Sequence, residues 1–361
     1  MIYFISYSLY LYSERKLSEK FPRLSDFLYF PLATIFDTFI HLLKSIQSML
    51  KYFAVFVILL SFISLNLPAD LTRTTSTAVS TISLDDNLSL EKENTTEAYA
   101  GYLTTHTNNE LVEKLNKRLA KNKKYARLIR NKKLAVGIVD MSDPQQARYA
   151  AVNGQEMMYA ASLPKIAVLL AAMDAIEKGE LKKTAAVTRD MNLMIRKSNN
   201  AASTRMIDRV GFDKIQEVMM DPQYNLYDLM NGGLWVGKRY AAAGKRNPDP
   251  IKGLSHAASV EKVCNYYYML SQGQLVSPER SLEMMSYLVK PGINHKFVNT
   301  LSRLAPNAKL YRKSGSWRTY HSDSVWVNGP DRNYILVALI DDASGERIAR
   351  DLVNVAEDIL K

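Results

Sequence analysis

Residues 161–177, ASLPKIAVLLAAMDAIE, carry a serine into a long run with helical apolar spacing. A serine hydroxyl is a poor nucleophile until a neighbouring base takes its proton. Lys165, three residues after Ser162, projects from the same helix face and can be that base once burial or nearby cations lower its pKa. The helix amino terminus adds free backbone amides and a positive dipole end toward a developing oxyanion. The Ser-x-x-Lys pattern alone says little. It occurs five times, at Ser13, Ser48, Ser89, Ser162 and Ser259, and a lone example reads as a helix cap followed by a surface lysine. Context singles out Ser162. Its helix is long and apolar, and Ser198-Asn199-Asn200 follows in a polar break between helical segments. Lys313-Ser314-Gly315, the one Lys-Ser/Thr-Gly in the chain, then ends a strand.

Around this helix the pattern supplies a frame. LAVGIVDM (134–141) is a buried-strand run, and ARYAAVN (147–153) pairs with it across the SDPQQ turn. Mostly helical segments continue to about residue 305, including 258–271 and 279–289. Strand-like runs return at 308–313, 320–328 and 333–341. A closing helix sets Ile348, Leu352, Val355 and Ile359 on one face. Two strands first, three last and helices between predict an α+β fold of two lobes. One is an antiparallel sheet built from both chain ends with flanking helices; the other is all-helical, and a cleft lies at the seam.

Ser-x-x-Lys, Ser-x-Asn and Lys-Ser/Thr-Gly, in that order, resemble the signature of the penicillin-recognising serine enzymes, and the spacing is similar to class A β-lactamases and the related D,D-peptidases. The resemblance spans 106–361, and the segment after the third motif, SDSVWVNGPDRNYILVALIDD, is similar to the family's final hairpin. It implies that Ser162 is acylated, that Lys165 accepts or relays its proton, and that Ser198 passes a proton to the leaving nitrogen. It implies further that Asn200 holds the substrate's amide side chain, that Lys313 and Ser314 bind the substrate carboxylate beside Gly315, and that the amides of Ser162 and Ser316 form the oxyanion hole. The implied substrates are β-lactams or peptidoglycan stem peptides, with no metal and no organic cofactor.

The pattern breaks in two places. Class A enzymes carry a deacylating glutamate on the loop between the second and third motifs, yet no Asp or Glu occurs from Leu229 through Pro248. Asp249, between Pro248 and Pro250, reads as a turn residue and substitutes only if the loop runs differently. The middle residue of Ser198-Asn199-Asn200 is asparagine where class A enzymes usually have aspartate. The resemblance thus favours an exported β-lactamase-like hydrolase. The missing glutamate favours a D-Ala-D-Ala carboxypeptidase or transpeptidase with slow deacylation. A non-catalytic cell-wall receptor of the same fold is a further alternative, and a membrane-tethered scaffold acting through the basic run described below is another. His321, on the strand after the third motif, and Arg318 are secondary candidates at the cleft. Tyr266-Tyr267-Tyr268, Met219-Met220 and Cys264 read as packing.

The chain has 361 residues, 47% hydrophobic and 23% charged, a globular composition. Its single cysteine excludes an internal disulfide and a cysteine-built zinc site, and its five histidines are too scattered for a histidine metal centre. Nine of the cations behind the net charge of +11 lie between Lys117 and Lys133 with no acid among them, and read as a solvated helix face. No nucleic-acid module accompanies them. FAVFVILLSFISL (53–65) is short for a membrane span and fits the core of a secretory signal, so 49–69 is expected to be a signal or a membrane attachment. Residues 1–48 read as an extension that an over-called start would explain, and the Ser/Thr-rich 70–105 as a linker to a monomeric domain over 106–361. Export is the expected compartment.

Overall fold

The computed structural model describes residues 103, 106–143 and 146–361. The expectations for 1–48, 49–69 and 70–105 fall outside these residues, Leu103 excepted. Two helices open the described domain, α1 (Asn109–Ala120) and α2 (Lys123–Arg130). The side-chain oxygens of Asn108 and Asn122 cap them by accepting from backbone amides one turn in. Leu111, Leu115 and Leu119 are buried, as their spacing predicts. The basic stretch lies on the opposite face, where Arg118, Lys124, Lys132 and Lys133 each meet a carboxylate.

Strands β1 (Leu134–Asp140) and β2 (Arg148–Val152) follow, and the chain ends in β8 (Lys309–Trp317), β9 (Tyr320–Gly329), β10 (Arg332–Asp341) and helix α10 (Gly345–Ile359). These five strands form one antiparallel sheet in the order β2-β1-β10-β9-β8. Leu134 faces Ile340 and Asp140 faces Tyr334, so the first strand is zipped along its whole length to the last. The α+β sheet built from both chain ends is therefore the architecture observed. Every β1 side chain is buried, which accounts for its unbroken apolar run.

The sheet has two different covers. Leu111, Leu115 and Leu119 of α1 and Ile348, Leu352 and Val355 of α10 pack on one face, joined by Phe297 and Leu301 of α9 (Phe297–Leu304). The other face meets α7 (Val260–Ser271), whose Cys264 and Val260 press so close on Gly137 that a Cβ there would collide. Beyond α7 lies the helical lobe of α3 (Lys165–Glu177), α4 (Ala185–Arg196), α5 (Asn200–Val210), α6 (Phe212–Met220) and α8 (Pro278–Leu288). Helix α3 runs through its middle, with eleven consecutive residues, Lys165 to Ala175, buried. Met219, the three tyrosines and Cys264 are core residues, whereas Met220 is 40% exposed.

Two sequence expectations need correcting. The stretch between α6 and α7 is not helical: it makes four short strands, β4 (Tyr227–Asp228), β5 (Gly232–Gly233), β6 (Trp235–Val236) and β7 (His256–Ala258), with β7 pairing to β3 (Met158–Tyr159). Lys313-Ser314-Gly315 does not end its strand but lies within β8, which runs on to Trp317. The strand continues because β9 supplies a partner for every residue, Lys313 opposite Ser324 and Trp317 opposite Tyr320.

Candidate active site

The turn leading into α3 brings Ser162 to the seam. Ala161 takes a left-handed conformation (φ +50°), and Ser162 follows it half-buried. A Cβ at Gly315 would collide with the Ala160 carbonyl and the Ser162 amide, so only glycine lets β8 pass this close to the serine. Ser322 in β9 locks the approach by donating to the Ala160 carbonyl at 2.7 Å.

Lys165 lies beneath the turn with no solvent exposure. Its ammonium donates to the Ser198 carbonyl at 2.7 Å and to Asn200 Oδ1 at 2.8 Å, with Ser198 Oγ at 3.5 Å and the Tyr240 ring face at 4.3 Å. It has no carboxylate partner, and burial lowers its pKa to about 7. A lysine so placed exchanges its proton near neutral pH, which a surface lysine does not. Ser198 sits between α4 and α5 in the left-handed region (φ +53°). This turns its hydroxyl toward Lys313, whose ammonium donates to it at 2.9 Å. Lys313 is 1% exposed, and burial together with the charges of Lys165 and Arg312 holds its pKa well below the usual lysine range. With both ammoniums donating toward its oxygen, the Ser198 hydroxyl keeps its own proton free to give away.

The open side is a cleft of about 740 Å³. Ser162, Asn200 and Ser316 line it with an aromatic wall of Tyr159, Tyr240, Trp317 and Tyr320, and Lys238, Arg239 and Arg246 add positive charge. None of the described residues lining it is an aspartate or glutamate. The cleft is therefore suited to an anionic, partly apolar ligand. Among the described residues no group of three His, Cys, Asp or Glu is placed to hold a metal ion.

A family model for the beta-lactamase enzyme family matches residues 110–192 and 189–361, most of the chain. This chain belongs to the beta-lactamase enzyme family. Solved structures agree in fold. A β-lactamase from Sphaerobacter thermophilus is 18% identical, with a TM-score of 0.55 over 69% of this chain and 96% of its own. A β-lactamase from Chitinophaga pinensis is 14% identical, with a TM-score of 0.54 over 70% of this chain and 100% of its own. PBP-A is 18% identical, with a TM-score of 0.50 over 69% of this chain and 97% of its own. A variant of PBP-A is described as an acyl-enzyme complex with penicillin G. No curated protein matches the chain in sequence. At these identities the solved structures establish the fold.

The three family motifs thus meet at one place: Ser162, Lys165, Ser198, Asn200, Lys313 and Gly315 surround one seam, while Ser316 lies at its mouth. Ser314 points to His295, whose Nε2 is 3.1 Å from its Oγ. Asp249 is no base. It is 2% exposed, and its carboxylate accepts from the amides of Ile251, Lys252 and Leu254, with the Tyr227 hydroxyl at 3.4 Å. It clamps a turn, as its proline flanks suggest. His321 does not line the cleft; it packs against Gly345 at the start of α10. Arg318 is exposed in the β8–β9 turn (φ +51°) and stacks on Trp317 at 5.7 Å.

Four residues of the site escape sequence reasoning. Tyr240, which covers Lys165, comes from the loop where an acid was sought, and His256 beside it (ring centroids 4.3 Å apart) opens β7. His256 Nε2 lies 3.0 Å from the Lys238 carbonyl, which can only accept, so that nitrogen carries the proton while Ser255 occupies Nδ1 at 3.2 Å. Burial, helped by the charges of Lys165 and Lys238 and opposed by the hydrogen bond to the Lys238 carbonyl, lowers its pKa to about 4, so it remains neutral at physiological pH. His295 and Lys296 stand behind β8. Their signal in the sequence is only a short polar loop before an apolar helix.

Proposed function

We propose that Ser162 is the nucleophile of an acyl-transfer reaction on β-lactams and on the D-alanyl-D-alanine amides of peptidoglycan stem peptides, and that its acyl-enzyme is released slowly. The observation that carries this reading is a cleft lined by Ser162 with no carboxylate among its described lining residues, and a near-neutral lysine one helical turn on from that serine. Neutral Lys165 takes the Ser162 proton as Oγ bonds to the substrate carbonyl carbon. The amides of Ser162 and Ser316 hold the resulting oxyanion. The carbon–nitrogen bond then breaks, and Ser198 delivers its proton to the departing nitrogen while recovering one from the Lys165 ammonium, which returns to the neutral amine. Asn200 orients the acyl side chain, and Lys313 draws the substrate carboxylate, whereas Ser314, expected to share that role, is buried with its hydroxyl on His295. Hydrolysis of the ester needs a base for water. The Tyr240 ring covers Lys165, Asp249 is saturated by backbone amides, and His256 is occupied on both nitrogens, so the second half-reaction is the slow one.

We propose further that the protein is exported, on the strength of the apolar run 53–65. Efficient β-lactam hydrolysis is the competing reading, supported by the family. Intact-mass spectrometry of the full chain with a penicillin, followed over time, separates the two. A lasting adduct on Ser162, absent from Ser162→Ala, is expected. Many turnovers without a lasting adduct would make the protein a true β-lactamase. The absence of both adduct and turnover would overturn the β-lactam reading.

A further inference from the structure

Lys296 lies in the loop between α8 and α9, has no solvent exposure and adopts a left-handed conformation (φ +52°). Its ammonium donates to the Gly315 carbonyl at 2.5 Å, to Ser316 Oγ at 2.8 Å and to the Ser322 carbonyl at 3.0 Å. All three protons are used, and none goes to a carboxylate. The nearby carboxylate, Asp323, is taken by Arg312 at 2.7 and 2.9 Å and by the Phe297 amide at 3.1 Å. A buried ammonium facing only neutral oxygens costs stability that an apolar side chain would not. The loop is stitched to the strand at three further points. Arg312 donates to the carbonyl of Ile293 at 3.0 Å and to that of His295 at 3.4 Å, and His295 reaches Ser314.

The Gly315 carbonyl and the Ser316 amide are two ends of one peptide group, and that peptide is trans, no cis bond occurring among the described residues. In a trans peptide they point in opposite directions, so a cation on the carbonyl stands directly behind the N–H. Pulling electron density toward the carbonyl oxygen makes the N–H a stronger donor. We infer that Lys296 is a positioning residue that polarises the Gly315–Ser316 peptide from behind and so strengthens the Ser316 amide as an oxyanion donor. It touches neither substrate nor nucleophile and acts only through that peptide. The inference rests on the acyl-transfer reading, because it needs an oxyanion in front of Ser316.

The proton on Lys296 is then part of the device. Burial lowers its pKa to about 8. The charged and titratable groups around it are Asp323 on β9 and Arg312 on β8, with Glu346 from α10 and His321, Lys313 and His295 nearby. A group active when protonated gives an alkaline limb, so acylation should fall as pH rises through about 8. The test is the acylation of the full chain by a fluorescent penicillin, resolved into rate constant and apparent dissociation constant between pH 6 and 9.5. Lys296→Met should lower the rate constant about tenfold at pH 7, leave the dissociation constant within about twofold and remove that limb. Lys296→Arg, charged throughout, should keep the neutral-pH rate and also lack the limb. It decides the matter if the methionine variant does not fold. A wild-type rate in Lys296→Met, or a wild-type limb in Lys296→Arg, overturns the inference while leaving the proposed function standing. Absence of acylation in the wild type overturns both.

Discussion

The apolar cover of the central sheet and the seam at its β8 edge obey opposite rules. Behind the sheet, α1, α9 and α10 bury leucine, isoleucine, valine and phenylalanine against the strands. At its β8 edge, within the same fold, three ammoniums (Lys165, Lys296 and Lys313) are buried, and none is paired with a carboxylate. One region gains from excluding water at every residue. The other spends stability to hold charge where it can act. The difference teaches where substitutions should separate activity from stability.

The largest effect expected is at Lys165. Lys165→Met should lower Ser162 acylation by at least about a thousandfold, read as adduct formation by mass, because it removes the base. It should also stabilise the fold. The folded-state pKa of about 7 lies below that of a solvated lysine, so the folded chain binds fewer protons than the unfolded chain between about pH 7 and 10.5. Wild-type stability from this group therefore rises with pH across that window. The advantage of the methionine variant, a few kcal/mol by chemical denaturation, should be greatest below pH 7 and fade toward pH 10. A destabilised Lys165→Met would erase the contrast between the two regions. In the wild type, acylation should climb through about pH 7 before Lys296 closes it at higher pH.

Leu352→Ala, in the apolar cover, should do the reverse. About 2–5 kcal/mol of stability is lost on denaturation, while the folded fraction acylates at the wild-type rate. The smallest effect is expected at Asp249. Asp249→Asn exchanges one acceptor oxygen for a donor facing backbone amides, costing about 1–3 kcal/mol, seen as faster proteolysis within 229–254. Deacylation should be unchanged; a fall in deacylation rate would return Asp249 to catalysis.

The sheet and helix α3 were legible in the sequence because their signals are local. β1 is an unbroken apolar run, α10 an amphipathic one, and Ser162 to Lys165 is read within a single turn. The region 221–259 was not legible, because strands of two or three residues carry no periodicity and are fixed by partners far away, as β7 is by β3 and β6. The third motif seemed to end a strand because Gly315 looks like a breaker. In the fold, that glycine is what lets the strand continue past Ser162. Lys296 was invisible for a different reason: a single lysine in a polar loop reads as solvated, and only tertiary packing shows that its three acceptors belong to strands β8 and β9. Asp249 was read correctly as a turn residue from its flanking prolines.

The pairing of β1 with β10 also dictates when this domain can first work. The two strands are about two hundred residues apart in the chain, and Ser162 lies near the early one while Gly315 and Ser316 come with the late ones. Such distant pairing makes for high contact order and slow closure. During synthesis Ser162 and Lys165 emerge long before the strand that carries Gly315 and Ser316. A nascent chain stopped before residue 309 carries Ser162 and Lys165 but has no β8, β9 or β10 to flank them. The strands that flank Ser162 arrive only with about the last seventh of the 361 residues, so the chemistry proposed for that serine waits until the whole domain exists.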